Sequence, residues 1–235
     1  MNILNNLDFG TAIHQLTPQL LQGLVIALEA TIFGFLLALV LGVLIAVGRL
    51  SGRKFLNGVL VVFLEMIRGT PLLVQLVYMF YVVPLLISLV FQFFIPDYQF
   101  RMNPLLSGVL GLGINYGCYM SEVVRSSIVT IHKGQTEAAL ALGYTHRQTM
   151  WSIIIPQATR NSIPVFGNYL IMMIKDTSLL AFITVNELLL RTQAYASQTF
   201  LTIESYTLLA VAYLILSLPL SQVVRLLEKR LRKHA

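Results

Sequence analysis

Ionisable residues stand inside long apolar stretches at three places in this chain of 235 residues. The three places are Glu65 with Arg68, Glu122 with Arg125, and Lys175 with Asp176. Residues three apart share a helix face and can pair, whereas adjacent residues point in different directions and need separate partners. A charge inside a bilayer costs roughly 2.5–3.5 kcal/mol on insertion scales, so each should be paired, face a water-filled cavity or act on a solute.

The composition indicates that these stretches lie in a membrane. Hydrophobic residues make up 57% of the chain and charged residues 11%, and the mean hydropathy is +0.78. Since soluble domains average roughly 25% charged residues, the chain has too few polar groups to cover a water-facing surface, which excludes a soluble enzyme and a disordered chain. The net charge of +6 lies in clusters at the ends of apolar runs, which favours membrane topology over nucleic-acid binding. The single Cys118 excludes a disulfide framework and a cysteine-based metal site, and the four histidines have no metal-ligand spacing.

We predict an all-α membrane protein with five transmembrane helices, the N-terminus outside and the C-terminus cytoplasmic. A span needs about 20 apolar residues. The predicted spans are Leu24–Val47, a broken span from Phe55 to about Pro84, Leu105–Ile131, Ile163–Leu190 and Tyr206–Leu227. Counting the broken span once puts all the basic clusters on one side, which the positive-inside rule makes cytoplasmic.

Further features complete this single membrane domain, whose embedded core we place at residues 19–228. Thr11–Gln22 has apolar residues among polar ones and is predicted to be an interfacial helix. Leu85–Phe94 is predicted to be an apolar segment on or in the outer face. Residues 1–19 lack the basic and apolar pattern of a removable signal peptide.

The inner loop at residues 132–161 carries local signals for two short helices joined by a sharp turn. Gln135–Leu142 is rich in the helix formers alanine and leucine, and Gly143 suits the left-handed position after a helix end. Thr145 with Gln148 predicts a capping box, and Pro156 predicts the end of the second helix. Two interpretations remain open: a docking surface, or a helix pair that rests on lipid headgroups.

The segment from Arg68 to Pro71 interrupts an apolar helix at membrane depth. Such a break exposes backbone groups, which is tolerated only against protein or along a water-lined cavity. Transporters place solute sites at such breaks, because helix ends offer dipoles to charged ligands. A translocation-pathway role and a packing role both remain open here and at Lys175–Ser178. For Glu122 and Arg125, internal pairing near the headgroups is the preferred interpretation.

One ordered set of motifs resembles a known family. Glu137-Ala-Ala139, Gly143 and Ile153-Ile-Ile-Pro156 resemble the EAA loop of ABC importer permeases, with Ile155 where leucine is commoner. From Gly23 to the C-terminus the chain is similar to the polar amino acid branch of these permeases. The segments that carry this likeness are Glu65–Gln75, Tyr119–Arg125, Gly134-Gln135, Pro156-Gln-Ala158 and Lys175–Leu179. The chain departs from the branch at Gly117–Glu122, where an alanine is usual before the tyrosine, and at the acidic Glu29.

The resemblance implies a transport subunit that is not itself an enzyme. It implies a coupling helix at Glu137, Ala138, Ala139 and Gly143 that sits in a cleft of a separate ATPase subunit. No P-loop pattern occurs in this chain, so ATP and magnesium would be bound by that partner, and no cofactor is expected here. The implied partners are two ATPase subunits, a second copy or a related permease, and an extracytoplasmic amino-acid-binding protein. The implied location is the bacterial cell (inner) membrane.

A pathway for an amino acid needs donors and acceptors within a mostly apolar wall, because the solute presents a carboxylate and an ammonium. The candidates are Glu65, Arg68, Thr70, Asn115, Tyr119, Lys175, Asp176 and Ser178. Two rival functions were weighed against the importer. A secondary transporter driven by an ion gradient is usually larger and built from internal repeats. An intramembrane enzyme would need a nucleophile–base or metal constellation, for which the sequence offers no motif.

Overall fold

The computed structural model describes residues 7–232, and these residues form helices with no β-strand. The helices are α1 (Phe9–Leu50), α2 (Lys54–Arg68), α3 (Leu72–Gln92), α4 (Pro104–Val129), α5 (Lys133–Ala141), α6 (His146–Ile183), α7 (Leu188–Thr199) and α8 (Thr202–Arg232). The last turns of α6, Thr177–Ile183, are a 3₁₀ helix. The all-α prediction is confirmed, as is the helix break between Arg68 and Leu72.

Two prolines lie inside helices that were predicted to end near them. The helix that begins at His146 continues through Pro156, and α3 continues through Pro84 to Gln92. The expectation that the loop's second helix stops at Pro156 is therefore wrong, and Leu85–Gln92 belongs to α3 rather than to a separate segment.

A wider turn explains why these prolines are tolerated. A π turn, Tyr78–Val82 or Met150–Ile154, comes directly before each proline-containing segment. In the second, the Ile155 N–H donates to the Met150 carbonyl five residues back. This widening moves the preceding carbonyls away from the proline ring and accommodates the missing N–H, so the helix bends instead of ending.

The first helix has no separate interfacial part. Helix α1 is continuous through Pro18, so the predicted independent helix at Thr11–Gln22 is wrong. Leu16 and Leu20 of that stretch are buried in a cluster with Leu188 and Tyr195 of α7 and Leu209 of α8, whereas Ile13 and Leu21 are exposed. The buried part of the amphipathic pattern therefore reflects packing on protein.

Helices α1 and α4 pack closely in parallel. Gly34 faces Leu112, and eight residues further along both helices Gly42 faces Met120. A Cβ atom at Gly42 would lie 2.9 Å from the Met120 Cβ, so this interface requires glycine. The two helices therefore finish at the same end of the bundle, which also carries α5 and is called the α5 end below.

The remaining long helices alternate in direction. Helix α6 is antiparallel to α4, because Tyr116 contacts Asp176 while the earlier Gly108 approaches the later Leu180. The α6 helix thus ends opposite the α5 end, beside α7, at what is called the α7 end. Helix α8 begins at the α7 end too. Glu204, near the start of α8, accepts a 2.8 Å hydrogen bond from the backbone N–H of Asp8, which directly precedes α1.

Length and composition qualify several of these helices as membrane spans. Within residues 7–232, four helical segments are long and apolar enough to cross a bilayer: Phe9–Leu50, Leu72–Gln92, His146–Ile183 and Thr202–Arg230. Helix α4 has 26 residues but carries Asn115, Glu122 and Arg125, and α2 has only 15 residues.

An ion cluster joins α1 to α4 at the α5 end. Arg125 Nε lies 3.1 Å from Glu122 Oε2, which confirms the predicted pairing of these two residues. Arg49 at the end of α1 donates to the other oxygen of Glu122. The sequence did not indicate this second partner, because the parallel packing that brings it near Glu122 is a tertiary feature. One carboxylate therefore holds two guanidinium groups together.

Replacing Glu122 with glutamine should destabilise this end of the bundle, because two neighbouring cations lose their counter-charge. All three side chains are partly exposed, so the expected loss is about 1–2 kcal/mol, below that of a fully buried pair. A thermal melt of the detergent-solubilised protein measures it. Glu29→Gln, which changes an exposed glutamate on α1, is the control. An unchanged melting temperature for Glu122→Gln would contradict the stabilising role.

Candidate functional site

The turn between α5 and α6 is held by defined backbone geometry. The Tyr144 N–H donates to the Ala139 carbonyl at 3.1 Å, and the Gly143 N–H donates to the Leu140 carbonyl at 3.0 Å. This pair of bonds is the Schellman arrangement, which requires a left-handed residue after the helix. Gly143 is that residue, with φ +87°, so its predicted conformation is confirmed.

The next helix begins with the predicted capping box. The Gln148 N–H donates to Thr145 Oγ1 at 3.2 Å, and the Thr145 N–H donates to Gln148 Oε1 at 2.9 Å. Each side chain satisfies a backbone N–H that the helix start leaves free. The sharp turn is therefore fixed from both sides, at Gly143 and at Thr145.

The α5–α6 turn presents apolar groups away from the bundle. Leu142 is 79% exposed and Trp151 is 65% exposed, while Tyr144 lies between them. Of the predicted coupling residues, Glu137 and Ala138 are exposed and Ala139 is buried. A rigid turn with projecting apolar side chains has the form of a docking surface. The coupling roles of Glu137, Ala138, Ala139 and Gly143 stay predictions.

A cavity of about 340 Å³ lies where the α2–α3 break meets α4 and α6. It is lined by Thr70, Pro71, Leu72, Asn115, Tyr116, Tyr119, Tyr169, Met172 and Asp176. Three tyrosine rings form much of one wall: Tyr169 lies 5.9 Å from Tyr116 and 6.3 Å from Tyr119, measured between ring centroids. Aromatic rings with polar tips suit a site that takes up a small polar molecule.

Opposite charges flank this cavity. The Tyr116 hydroxyl donates to Asp176 Oδ2 at 2.7 Å, which orients the carboxylate. The Arg68 guanidinium carbon lies 5.4 Å from the centroid of the Tyr119 ring, within the range of a cation–π contact. A solute in the cavity would therefore have a carboxylate, that of Asp176, near it on α6 and a guanidinium, that of Arg68, near it at the break.

Four of the eight predicted pathway residues line the cavity, and Arg68 adjoins it. The four are Thr70, Asn115, Tyr119 and Asp176. The other three are absent from its lining: Glu65 is exposed on α2, Lys175 is exposed on α6, and Ser178 lies beside the Tyr213 hydroxyl. Whether any of the eight touches solute stays a prediction.

The charge pairing expected from spacing differs between the sites. No salt bridge joins Glu65 to Arg68 in the described part of the chain, where the ion pairs are those of Glu122. Arg68, the last residue of α2, lies over the face of Tyr119 instead. The equal spacing at Glu122 and Arg125 does give a pair.

Two residues of the cavity wall, Tyr116 and Tyr169, and the neighbouring Gln75 are not among the residues predicted from the sequence. The spacing of Tyr116 and Tyr119, one turn apart on the helix that bears Asn115, was the available signal for the aromatic wall. Gln75 gave the weaker signal of an amide within an apolar run.

A buried glutamate stabilises the α7 end. Glu187 is fully buried and accepts hydrogen bonds from the Leu189 and Leu190 backbone N–H groups at 2.8 and 2.9 Å, at the start of α7. The Tyr213 hydroxyl also donates to it at 3.2 Å. Burial raises the pKa of Glu187 from 4.5 to about 7, although these hydrogen bonds act in the opposite direction. The predicted span Ile163–Leu190 extends too far, because α6 ends at Ile183, so Glu187 lies between the candidate spans, outside the spanning segments.

This raised pKa predicts a pH-dependent stability. Between pH 4.5 and about 7, the folded protein keeps a proton on Glu187 that the unfolded chain releases. The contribution of Glu187 to folding stability is therefore fully present below pH 4.5 and is lost as the pH rises through 7. The melting temperature of the wild type minus that of Glu187→Gln should therefore fall as the pH rises over this range. Exposed Glu137→Gln serves as the control. A melting-temperature difference that does not change with pH would contradict the raised pKa of Glu187.

Within the described residues, no three His, Cys, Asp or Glu side chains come together as metal ligands. The expectation that this chain holds no cofactor of its own stays a prediction.

Comparisons with known proteins identify the family. Residues 38–233 match the model of the binding-protein-dependent transport system inner membrane component. The chain is 36% identical over 222 residues to the glutamine transport system permease protein GlnP of Escherichia coli (strain K12), covering 94% of this chain and 97% of the relative. It is 35% identical over 241 residues to the L-cystine transport system permease protein TcyB of Bacillus subtilis (strain 168), covering 100% and 98%.

Solved structures agree with this result. A crystal structure of an amino acid ABC transporter with histidines matches with a TM-score of 0.84 at 32% identity, covering 96% of this chain and 99% of that one. An inward-facing MetNI methionine ABC transporter matches with a TM-score of 0.63 at 17% identity, covering 92% and 98%, and at that identity it supports the fold alone. The family match over residues 38–233 and these relatives show that the chain belongs to the inner membrane components of binding-protein-dependent transport systems, the ABC transporter permeases.

Proposed function

We propose that this chain is the permease subunit of an ATP-driven importer that moves polar amino acids into the cytoplasm. The observation that carries the proposal is the cavity at the α2–α3 break, with Asp176 in its lining and Arg68 against the lining residue Tyr119. A zwitterionic amino acid presents an ammonium and a carboxylate, which match these two charges. The names of the relatives, which specify glutamine, cystine and amino acid transport, favour the same solute class.

The solute would be oriented by its charged groups. Its ammonium would lie toward the Asp176 carboxylate, which the Tyr116 hydroxyl already orients, and its carboxylate toward Arg68. The tyrosine wall would cover the aliphatic part of the solute without selecting one side chain strongly. Selection among polar amino acids would then rest mainly with the extracytoplasmic binding protein.

We propose five membrane crossings, and the helix directions support this number. Because α1 and α4 are parallel, we infer that the chain between them crosses back once, with α2 and α3 together making that crossing. The crossings are then α1, α2 with α3, α4, α6 and α8. Basic residues gather at the α5 end, including Arg49, Arg53, Lys54, Lys133 and Arg147. We assign that end to the cytoplasm and the N-terminus to the outside, in a bacterial inner membrane.

The energy source would be a separate ATPase that docks on the α5–α6 turn. The turn is exposed and apolar, and together with α5 it connects α4 to α6, which are two walls of the cavity. Movement of the turn by the ATPase would therefore change the spacing of the helices that enclose the solute. ATP and magnesium would be held by the ATPase, and a second permease chain and a solute-binding protein would complete the importer.

Uptake by right-side-out membrane vesicles that contain the complete complex and its binding protein tests this proposal. Vesicles loaded with ATP and magnesium should accumulate labelled polar amino acids, and an ionophore that collapses ion gradients should leave uptake unchanged. Uptake that requires an ion gradient and ignores ATP would favour the alternative, a secondary transporter. Chemical conversion of the solute would indicate the third possibility, an intramembrane enzyme.

A further inference from the structure

We propose that Gln75 is a positioning residue for the cavity, because its amide fastens the α2–α3 break to α4. The inference rests on the proposed transport function and adds a residue that determines where Arg68 and Asn115 stand. Gln75 does not line the Asp176 cavity itself. It acts through the groups on either side of it.

One end of the Gln75 amide satisfies the backbone of the break. Its Nε2 donates to the Ile67 carbonyl at 2.6 Å, to the Thr70 carbonyl at 3.0 Å and to Thr70 Oγ1 at 2.9 Å. These carbonyls have lost their helical partners because Pro71 interrupts the ladder. In apolar surroundings such groups must find partners within the protein, and Gln75 provides them.

The other end of the same amide reaches the cavity wall. Asn115 Nδ2 donates to Gln75 Oε1 at 2.9 Å, and Asn115 is buried in the lining next to Tyr116. Gln75 therefore bridges two parts of the chain that are 40 residues apart. Its donor and acceptor groups are all engaged, so the amide has one orientation that serves both sides.

The Thr70 hydroxyl also donates to the Met66 and Ile67 carbonyls, at 3.0 and 3.3 Å, but these bonds stay within the break and do not reach α4. Arg68 and Thr70 are exposed, so packing restrains them weakly, while the position of Arg68 over Tyr119 depends on where α2 ends. Leucine at position 75 would fill a similar volume but remove the side-chain donor to the Thr70 carbonyl and the acceptor of the Asn115 amide. The Ile67 carbonyl would keep its longer bonds from Thr70, at 3.3 Å from Oγ1 and 3.5 Å from the backbone N. The break would then shift, and Arg68 and Asn115 would lose their common alignment on the solute.

The test compares transport with ATP hydrolysis in the complete complex. Right-side-out vesicles are loaded with ATP, and uptake of a radiolabelled mixture of the twenty L-amino acids is measured together with phosphate release. Gln75→Leu should lower the amount of amino acid taken up per ATP at least tenfold. Gln92→Leu is the matched control: Gln92 lies on the same helix, and its Nε2 donates to the Tyr98 carbonyl at 3.1 Å, away from the cavity. Its ratio should stay within twofold of the wild type.

Three results would overturn the inference. The first is a wild-type ratio in Gln75→Leu. The second is a parallel fall of uptake and ATP hydrolysis, which would indicate a purely structural role. The third is an equal loss in Gln92→Leu. If Gln75→Leu fails to insert, Gln75→Glu replaces it; this variant keeps the acceptor for Asn115 but sets a carboxylate against two carbonyls, and the same tenfold loss is expected. Absence of uptake in the wild type would instead refute the proposed function, so the two failures are distinguishable.

Discussion

Replacing Gly143 with leucine is expected to abolish ATP-driven uptake while leaving the chain inserted in the membrane. Gly143 has φ +87°, a conformation that costs a residue with a Cβ about 1–2 kcal/mol. A Cβ there would meet no other atom of this chain within 4 Å, so the added side chain would project from the α5–α6 turn, where the ATPase is proposed to dock. Strain in the turn and obstruction of the ATPase therefore act together. Uptake by ATP-loaded vesicles, normalised to the amount of inserted chain, is the measurement.

Gly52 offers a matched control for this substitution. It also has a left-handed backbone, with φ +73°, and open space around its Cβ position, but it lies between α1 and α2. Gly52→Leu should retain most uptake, because it carries the same strain outside the coupling turn. Gly143→Asn separates the two causes, since asparagine tolerates the left-handed region and still adds bulk. Normal uptake by Gly143→Leu would refute the coupling role of this turn.

Replacing Asp176 with asparagine is expected to lower uptake about 10- to 100-fold. The change keeps the size of the side chain and an acceptor for the Tyr116 hydroxyl, but it removes the negative charge beside the cavity. A hydrogen bond to a charged group contributes about 1.5–3 kcal/mol, which corresponds to this loss when the solute ammonium is the partner. Initial uptake rates in the same ATP-loaded vesicles measure the effect.

Asp97→Asn controls for the general loss of an acidic residue. Asp97 is exposed in the loop between α3 and α4, and its φ of +60° is one that asparagine adopts readily. This variant should transport as the wild type does. Equal uptake by Asp176→Asn and the wild type would mean that the solute ammonium does not depend on this carboxylate, and the assigned solute orientation would be wrong.

Local signals predicted the backbone of the coupling turn well. The left-handed glycine and the capping box at Thr145 depend on residues within a few positions of one another, and both are present. The same local rules failed at Pro156, because a π turn at Met150–Ile154 accommodates the proline within a continuous helix. A π turn has no strong sequence signal, whereas a proline in the sequence clearly predicts the end of a regular helix.

Tertiary contacts limited what the sequence could say about the site. The sequence could indicate four lining residues, because a polar group within an apolar run is easy to recognise. These are Thr70, Asn115, Tyr119 and Asp176. The bond from Tyr116 to Asp176 joins residues 60 positions apart, so local spacing could not indicate it. The expected pairing of Glu65 with Arg68 failed for a related reason, since Arg68 instead contacts Tyr119 of another helix.

The identity of the proteins that copurify with this chain tests the central claim most directly. The chain would be isolated from its native membrane in a mild detergent, after crosslinking from the exposed Glu137 and Leu142 positions of the α5–α6 turn, and its partners identified by mass spectrometry. We expect an ATPase crosslinked to this turn, together with a second permease or only this chain. If no ATPase is recovered while the permease remains intact, the coupling function of the turn and the ATP-driven mechanism are contradicted.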